Sequence, residues 1–174
     1  MWKGTINIHA LSTPRPRLVL RNGKTVQMND PEYTDFLITV ADWANQHIDD
    51  PNFSELFDKN NMKDPNFALG LEATYYIKSR QNTPYLRKAP DIDNLAKAIQ
   101  DGIFYNDLNV DEKVPRHRWK SKDGTEHVEF EYTPRKFHVA DSAVVYIKHV
   151  KLAVKTTEEE HIDVALINLK KDEV

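Results

Sequence analysis

The chain has 174 residues, 40% of them hydrophobic and 29% charged, which gives one soluble globular domain rather than a disordered segment. It has no cysteine, so disulfide frameworks, thiolate nucleophiles and cysteine zinc sites are excluded. No apolar run approaches the roughly 18 residues of a membrane span, Met1-Trp2-Lys3-Gly4 opens no signal peptide, and the expected setting is the cytoplasm with no membrane partner.

The net charge of −3 argues on average against a nucleic-acid partner, but it is unevenly spread. Residues 1–29 hold five basic residues and no acid, whereas residues 30–64 hold nine acids and two lysines. Residues 65–90 and 113–138 are each +3 and flank a −5 segment at 91–112, with −2 over 139–174. Basic segments therefore bracket an acidic one, which suits either a basic surface around an acidic centre or ordinary solvated charge.

In chain order, Thr5–Leu11 alternates enough for a strand. Pro14-Arg15-Pro16-Arg17 is held extended by its prolines, as an exposed rim. Leu18–Leu20 and Thr25–Met28 flank Asn22-Gly23, a hairpin turn signal. A helix is predicted over 31–48, with Asp30 as N-cap, Pro31 in the first position, and Tyr33, Phe36, Leu37, Val40, Ala44 and Ile48 on one stripe. Residues 49–66 read as a loop with a helical turn near Phe53–Phe57. Residues 67–77 alternate strictly, with Phe67, Leu69, Leu71, Ala73, Tyr75 and Ile77 facing one way and Tyr76 the other, as a strand with a buried face. A second helix is predicted over 91–103 with Ile92, Leu95, Ile99 and Ile103 inward. Residues 116–120 and 127–132 flank Asp123-Gly124 as another hairpin, and 143–154 and 161–169 form two last strands joined through Glu158–Glu160. The pattern predicts an α/β fold, a mixed α+β sheet with two main helices, carrying an extra C-terminal β-hairpin.

Chemistry concentrates in Pro90-Asp91-Ile92-Asp93-Asn94-Leu95-Ala96-Lys97. Asp91 and Asp93 are two apart on chain entering a helix, so their carboxylates face one side while Ile92 points to the core. Two such carboxylates repel unless a cation lies between them or one stays protonated, and a hard divalent cation with oxygen ligands suits them. Lys97 follows Asp93 by one helical turn, and a third acid lies just beyond the helix, at Asp107 or Asp111. Three acids and a lysine converging in this way form a constellation for metal-dependent phosphoryl transfer. The same residues also suit a helix cap or an exposed Asp93–Lys97 pair. Competing motifs are absent: the histidines have no zinc spacing, the five glycines form no phosphate loop, and no Gly-x-Ser-x-Gly occurs.

The Pro-Asp-x-Asp-Asn-Leu-x-Lys run, with Asp101 and then Asn106-Asp107-x-Asn109-Val110, resembles the signature of RusA-type Holliday junction resolvases. Pro14–Arg17 is similar to that family's amino-terminal Arg-Pro-Arg element, and the likeness extends over about residues 5–135. It implies a RusA-like nuclease domain at 1–138, while residues 139–174 have no counterpart in that family and are expected, from their strand spacing, as a C-terminal β extension packed on the same domain. It also implies that Asp91, Asp93 and Asp107 bind Mg²⁺, that Asn94 shapes the helix start, and that Lys97 is the catalytic lysine. The sequence departs from the family at Asn106, where an acid is expected, at Asn109, where a glutamine is expected, and in a shortened stretch after Asp101. An ungapped register makes Asp111 the third acid instead.

The implied activity is paired symmetric nicking of a four-way junction by a homodimer, in DNA recombination and repair, as in bacteria and their prophages. The alternatives are a non-catalytic branched-DNA-binding protein or a less selective branched-DNA nuclease. Candidate phosphate contacts are Arg15, Arg17, Lys88, Arg116, Arg118 and Lys120. Trp119 is expected to pack at a sheet edge or in the core, with stacking on an unpaired base as its other use.

Overall fold

A computed structural model describes residues 1–14, 17–21, 24–28, 30–58, 60–80, 83–87, 90–104, 113–121, 123–132 and 139–169, with the backbone alone at 17–21, 24–28, 113–116 and 130–132. The expected Asn22-Gly23 turn lies outside these residues. The strands that flank it, β1 aside, are the first hairpin: β2 (Arg17–Arg21) pairs antiparallel with β3 (Lys24–Met28). β1 itself runs over Trp2–Ile6, earlier than the 5–11 expected. Gly4 interrupts the apolar alternation there, so periodicity alone missed a strand whose Trp2 and Ile6 are buried.

α1 (Pro31–Gln46) starts as its sequence dictates. The Asp30 carboxylate accepts a hydrogen bond from Glu32 N at 3.0 Å, and proline fills the first turn, where no amide donor is needed. Its buried face is Phe36, Leu37, Val40, Ala41, Trp43 and Ala44. α2 (Pro51–Ser54) and a 3-10 turn at Glu55–Phe57 bury Phe53, Leu56 and Phe57. Asp50 caps α2 and also accepts from Trp2 Nε1 at 2.9 Å, a bond that holds its carboxyl below the usual range. β4 (Ala68–Lys78) alternates as predicted, with Leu69, Leu71, Ala73, Tyr75 and Ile77 buried. α3 (Ile92–Phe104) packs against α1 where Gly102 meets Val40. A Cβ on Gly102 would lie 2.7 Å from the Val40 side chain, so the close approach of the two helices requires glycine.

β5 (Lys113–Lys120) and β6 (Glu126–Tyr132) form the expected second hairpin, with Gly124 at φ 86° in its turn. β7 (Val144–Val154) and β8 (His161–Leu169) complete a four-stranded mixed sheet of order β1-β8-β4-β7. β8 is antiparallel to both its neighbours, and β7 is parallel to β4.

The expectation of a C-terminal hairpin is corrected here, because β7 and β8 do not pair with each other. Residues 155–160 arch over the end of β4: Ser79 N donates to Val154 O at 3.0 Å, and Lys78 N to Glu160 Oε1 at 2.7 Å. The acidic run read as a hairpin turn is thus a bridge across an intervening strand. The α/β class with two main helices holds, α2 being one turn. One buried cluster joins β1, β4 and β8 to α1, α2 and α3. No helix among the described residues is long and apolar enough to cross a membrane.

Candidate active site

The start of α3 sits on a scaffold tied from three directions. Lys151 of β7 donates from Nζ to Pro90 O at 2.7 Å, fixing the chain just before Asp91. Thr13 donates from both N and Oγ1 to Asn94 O at 3.2 Å. Thr13 Oγ1 also meets Tyr33 Oη of α1 at 3.1 Å, and Tyr33 Oη donates to Asp101 Oδ2 at 3.2 Å. Thr13, the residue before Pro14, is therefore pinned to α3.

Asp91 and Asp93 are both exposed, on either side of the first helical residue. Their carboxylates lie at the positive end of the helix, which favours negative charge. Ile92 was expected to point to the core. It is 39% exposed instead and lies in a pocket wall, because the first turn of α3 runs past the packed part of the helix, whose buried residues begin at Leu95. Lys97 reaches forward rather than back. Its ammonium donates to both carboxylate oxygens of Asp101 at 2.8 Å, so the Asp93–Lys97 pair does not form.

A pocket of about 550 Å³ runs along this face of α3 and is lined by Asp93, Lys97, Gln100, Asp101, Asp141 and His149, with Ile92, Ala96 and Ile147 between them. The structure thus brings Asp93, Lys97 and Asp101 to one wall. Asp91 is not among the lining residues. Asp107, Asp111, Arg15 and Lys88 lie outside the described residues, as do the side chains of Arg17 and Arg116. Arg118 and Lys120 are exposed on β5 and are not among the pocket's lining residues, with Lys120 Nζ 3.1 Å from Glu126 Oε1. Among the described residues, no three acidic or imidazole side chains form a ready metal cage.

Asp141, Ile147 and His149 were missed by sequence reading. Parallel pairing of β7 with β4 sets Ile147 beside Leu71 and His149 beside Ala73, on the helix side of the sheet. Such a long-range pairing leaves no local signal in the sequence. The Tyr75 hydroxyl lies 2.6 Å from His149 Nδ1, and the two rings stack at 5.6 Å. Tyr75 faces the core as expected, and Tyr76 on the other side stacks on His161 at 4.0 Å. His149 Nε2 is buried without a hydrogen-bond partner among the described residues. Burial pulls the His149 pKa from 6.5 down to about 4 and pushes the Tyr75 hydroxyl up.

The sign of the resulting pH dependence follows directly. His149 is neutral in the folded chain, and the unfolded chain gains its proton as pH falls below 6.5, so stability present above pH 6.5 is lost on the way to pH 4. Allowing for partial exposure, that loss is about 1–2 kcal/mol. His149→Gln should remove this component, seen as a smaller fall in melting temperature between pH 7 and pH 4 than in the wild type.

Carboxylates outnumber cations in this pocket, and Lys97 is already committed to Asp101. A phosphodiester approaching Asp93 and Asp141 is repelled unless a cation reverses the local sign. Acidic oxygen donors beside a lysine are the residue types that metal-assisted hydrolysis of a phosphate ester uses. The family model for endodeoxyribonuclease RusA matches residues 7–131, most of the chain. The chain belongs to the RusA family, and it is accordingly an endodeoxyribonuclease that resolves Holliday junctions, acting on branched DNA in recombination. No curated protein and no solved structure matches it. Asp141, Ile147 and His149 fall outside the matched residues, so one wall of the pocket comes from chain that the family model does not cover.

Proposed function

We propose that this resolvase is Mg²⁺-dependent and nicks the two symmetry-related strands of a four-way junction as a homodimer. The observation that carries the reading is the acid-lined pocket at the start of α3, which is too negative to accept a phosphate unaided. Asp91 and Asp93 would hold the ion, with Asp107, or Asp111 in the ungapped register, as third acid. Their oxygen donors fit magnesium, which keeps several waters and needs only one or two carboxylates. When bound, the ion supplies charge neutralisation at the phosphate and a water of lowered pKa.

The chain's own residues set the geometry. Asp101, anchored by Tyr33, holds the Lys97 ammonium at the pocket wall, where it can offset charge that develops on the phosphate. Hydrolysis breaks the P–O3′ bond, and the departing oxygen takes a proton, leaving 5′-phosphate and 3′-hydroxyl ends. Arg15, Arg17, Lys88, Arg116, Arg118 and Lys120 would contact phosphates, so binding should fall steeply with salt. A two-fold dimer presents two such sites to the two-fold junction.

Incubation of the protein with Mg²⁺ and a panel of labelled four-way junction, flap and duplex tests this reading. It expects paired nicks confined to the junction. A bound but intact junction would favour a non-catalytic binder, and equal cutting of flaps a less selective nuclease.

A further inference from the structure

The β5–β6 hairpin carries aromatic chemistry that the cleavage site does not use. Among the described residues its strands pair only with each other. Residues 117–120 and 123–129 are all exposed. The register sets Trp119 opposite His127, with His117 two residues earlier on the same face. Their rings run nearly parallel: His117 to Trp119 at 5.6 Å and 19°, and Trp119 to His127 at 5.2 Å and 15°. Trp119 is 45% exposed and packs against these two rings at a sheet edge, one of the two placements expected of it, rather than in the core.

A two-stranded ribbon is at best marginally stable alone. Three stacked rings in water make an exposed aromatic cluster. Arg118 and Lys120 stand on the alternate face of the same strand. Among the described residues Lys120 is tied only to Glu126, in an exposed pair that is weak and easily exchanged. An exposed aromatic cluster with cations on the other face of the same narrow ribbon suits a base with its flanking phosphates, since every base offers a π face and every linkage a negative charge.

We infer that the His117–Trp119–His127 face stacks an unpaired nucleobase of the branched DNA while Arg118 and Lys120 hold the adjoining phosphates. This rests on branched DNA as the substrate and adds a stacking contact to the phosphate contacts of that reading. Trp119 is a binding residue here.

Tryptophan emission reads the contact directly, because Trp2 and Trp43 are only 6% and 8% exposed. Without Mg²⁺, titration with a junction or with oligothymidylate should quench the wild-type emission, and Trp119→Phe should abolish that quench. Trp119→Ala should weaken junction binding about tenfold or more, by an amount that persists as salt is raised. Trp119→Phe, which keeps a ring, should retain most of the affinity. Arg118→Ala should instead lessen the salt dependence. Binding that leaves the emission unchanged, a Trp119→Ala protein that binds as tightly as the wild type, or a loss that vanishes at high salt would overturn the inference. The wild-type quench needs no variant, so it stands even if the alanine protein loses its hairpin. Quenching without cleavage in Mg²⁺ would keep the stacking contact and remove the resolvase mechanism. Paired nicks without quenching would do the reverse.

Discussion

Asp93→Asn should reduce junction cleavage by about a thousandfold or more while junction affinity in the absence of Mg²⁺ holds or rises. The carboxylate is exposed, so the isosteric amide leaves the core untouched. It opens onto a pocket that Asp101 and Asp141 also make acidic, so removing its charge lessens repulsion of a phosphate. What is lost is an oxygen donor to the divalent ion, whose charge stabilisation at the phosphate contributes several kcal/mol, at about 1.4 kcal/mol per tenfold in rate. Gel-shift titration beside single-turnover cleavage separates the two quantities. A parallel fall in affinity, melting temperature and rate would make Asp93 a structural residue of the helix start.

The second large effect concerns the carboxyl-terminal strands. A fragment ending at residue 138 should fail to fold, although residues 7–131 contain the whole family match. β8 lies between β1 and β4 and gives both of them their antiparallel partner. It buries Ile162, Val164 and Leu166 almost completely. At about 1.5–3 kcal/mol for each side chain, those three contribute about 5–9 kcal/mol, comparable with the whole net stability of a typical domain, about 5–15 kcal/mol. β1 would also be left without a strand to pair with. Circular dichroism with thermal melting should show no cooperative transition for the fragment. A fragment that melts cooperatively and cuts junctions would mean that residues 139–174 are dispensable.

These two cases mark what the sequence made legible. Local patterns were reliable where one face is buried along a whole element. The cap at Asp30, the Phe36–Ala44 stripe of α1 and the alternation of β4 each reflect a single physical requirement repeated along the chain. Of the constellation expected on α3, helical spacing carries Asp93 and Lys97 to one wall, with Asp101 in place of the Asp91 and Asp107 or Asp111 that were to complete it. Its internal pairing was not visible. Whether Lys97 turns toward Asp93 or Asp101 depends on Tyr33 and Thr13, which arrive from other elements.

Long-range topology was hidden altogether. Residues 143–154 and 161–169 read as neighbours because a short acidic run joins them, yet β4 lies between them. The far wall of the pocket was hidden for the same reason, since His149 reaches it only through the pairing of β7 with β4. Ile92 failed in a different way. Apolar type predicts burial only where something packs over the residue, and Ile92, in the first turn of α3, is 39% exposed.

The central claim, that Asp91 and Asp93 join a third acid to hold the metal, is tested most directly by anomalous diffraction from crystals soaked in Mn²⁺, an ion with similar oxygen preference. A peak within about 2–2.6 Å of carboxylate oxygens from Asp91 and Asp93, completed by Asp107 or by Asp111, is the expected result. Well-ordered carboxylates turned apart into solvent, with the manganese bound elsewhere or not at all, would contradict it.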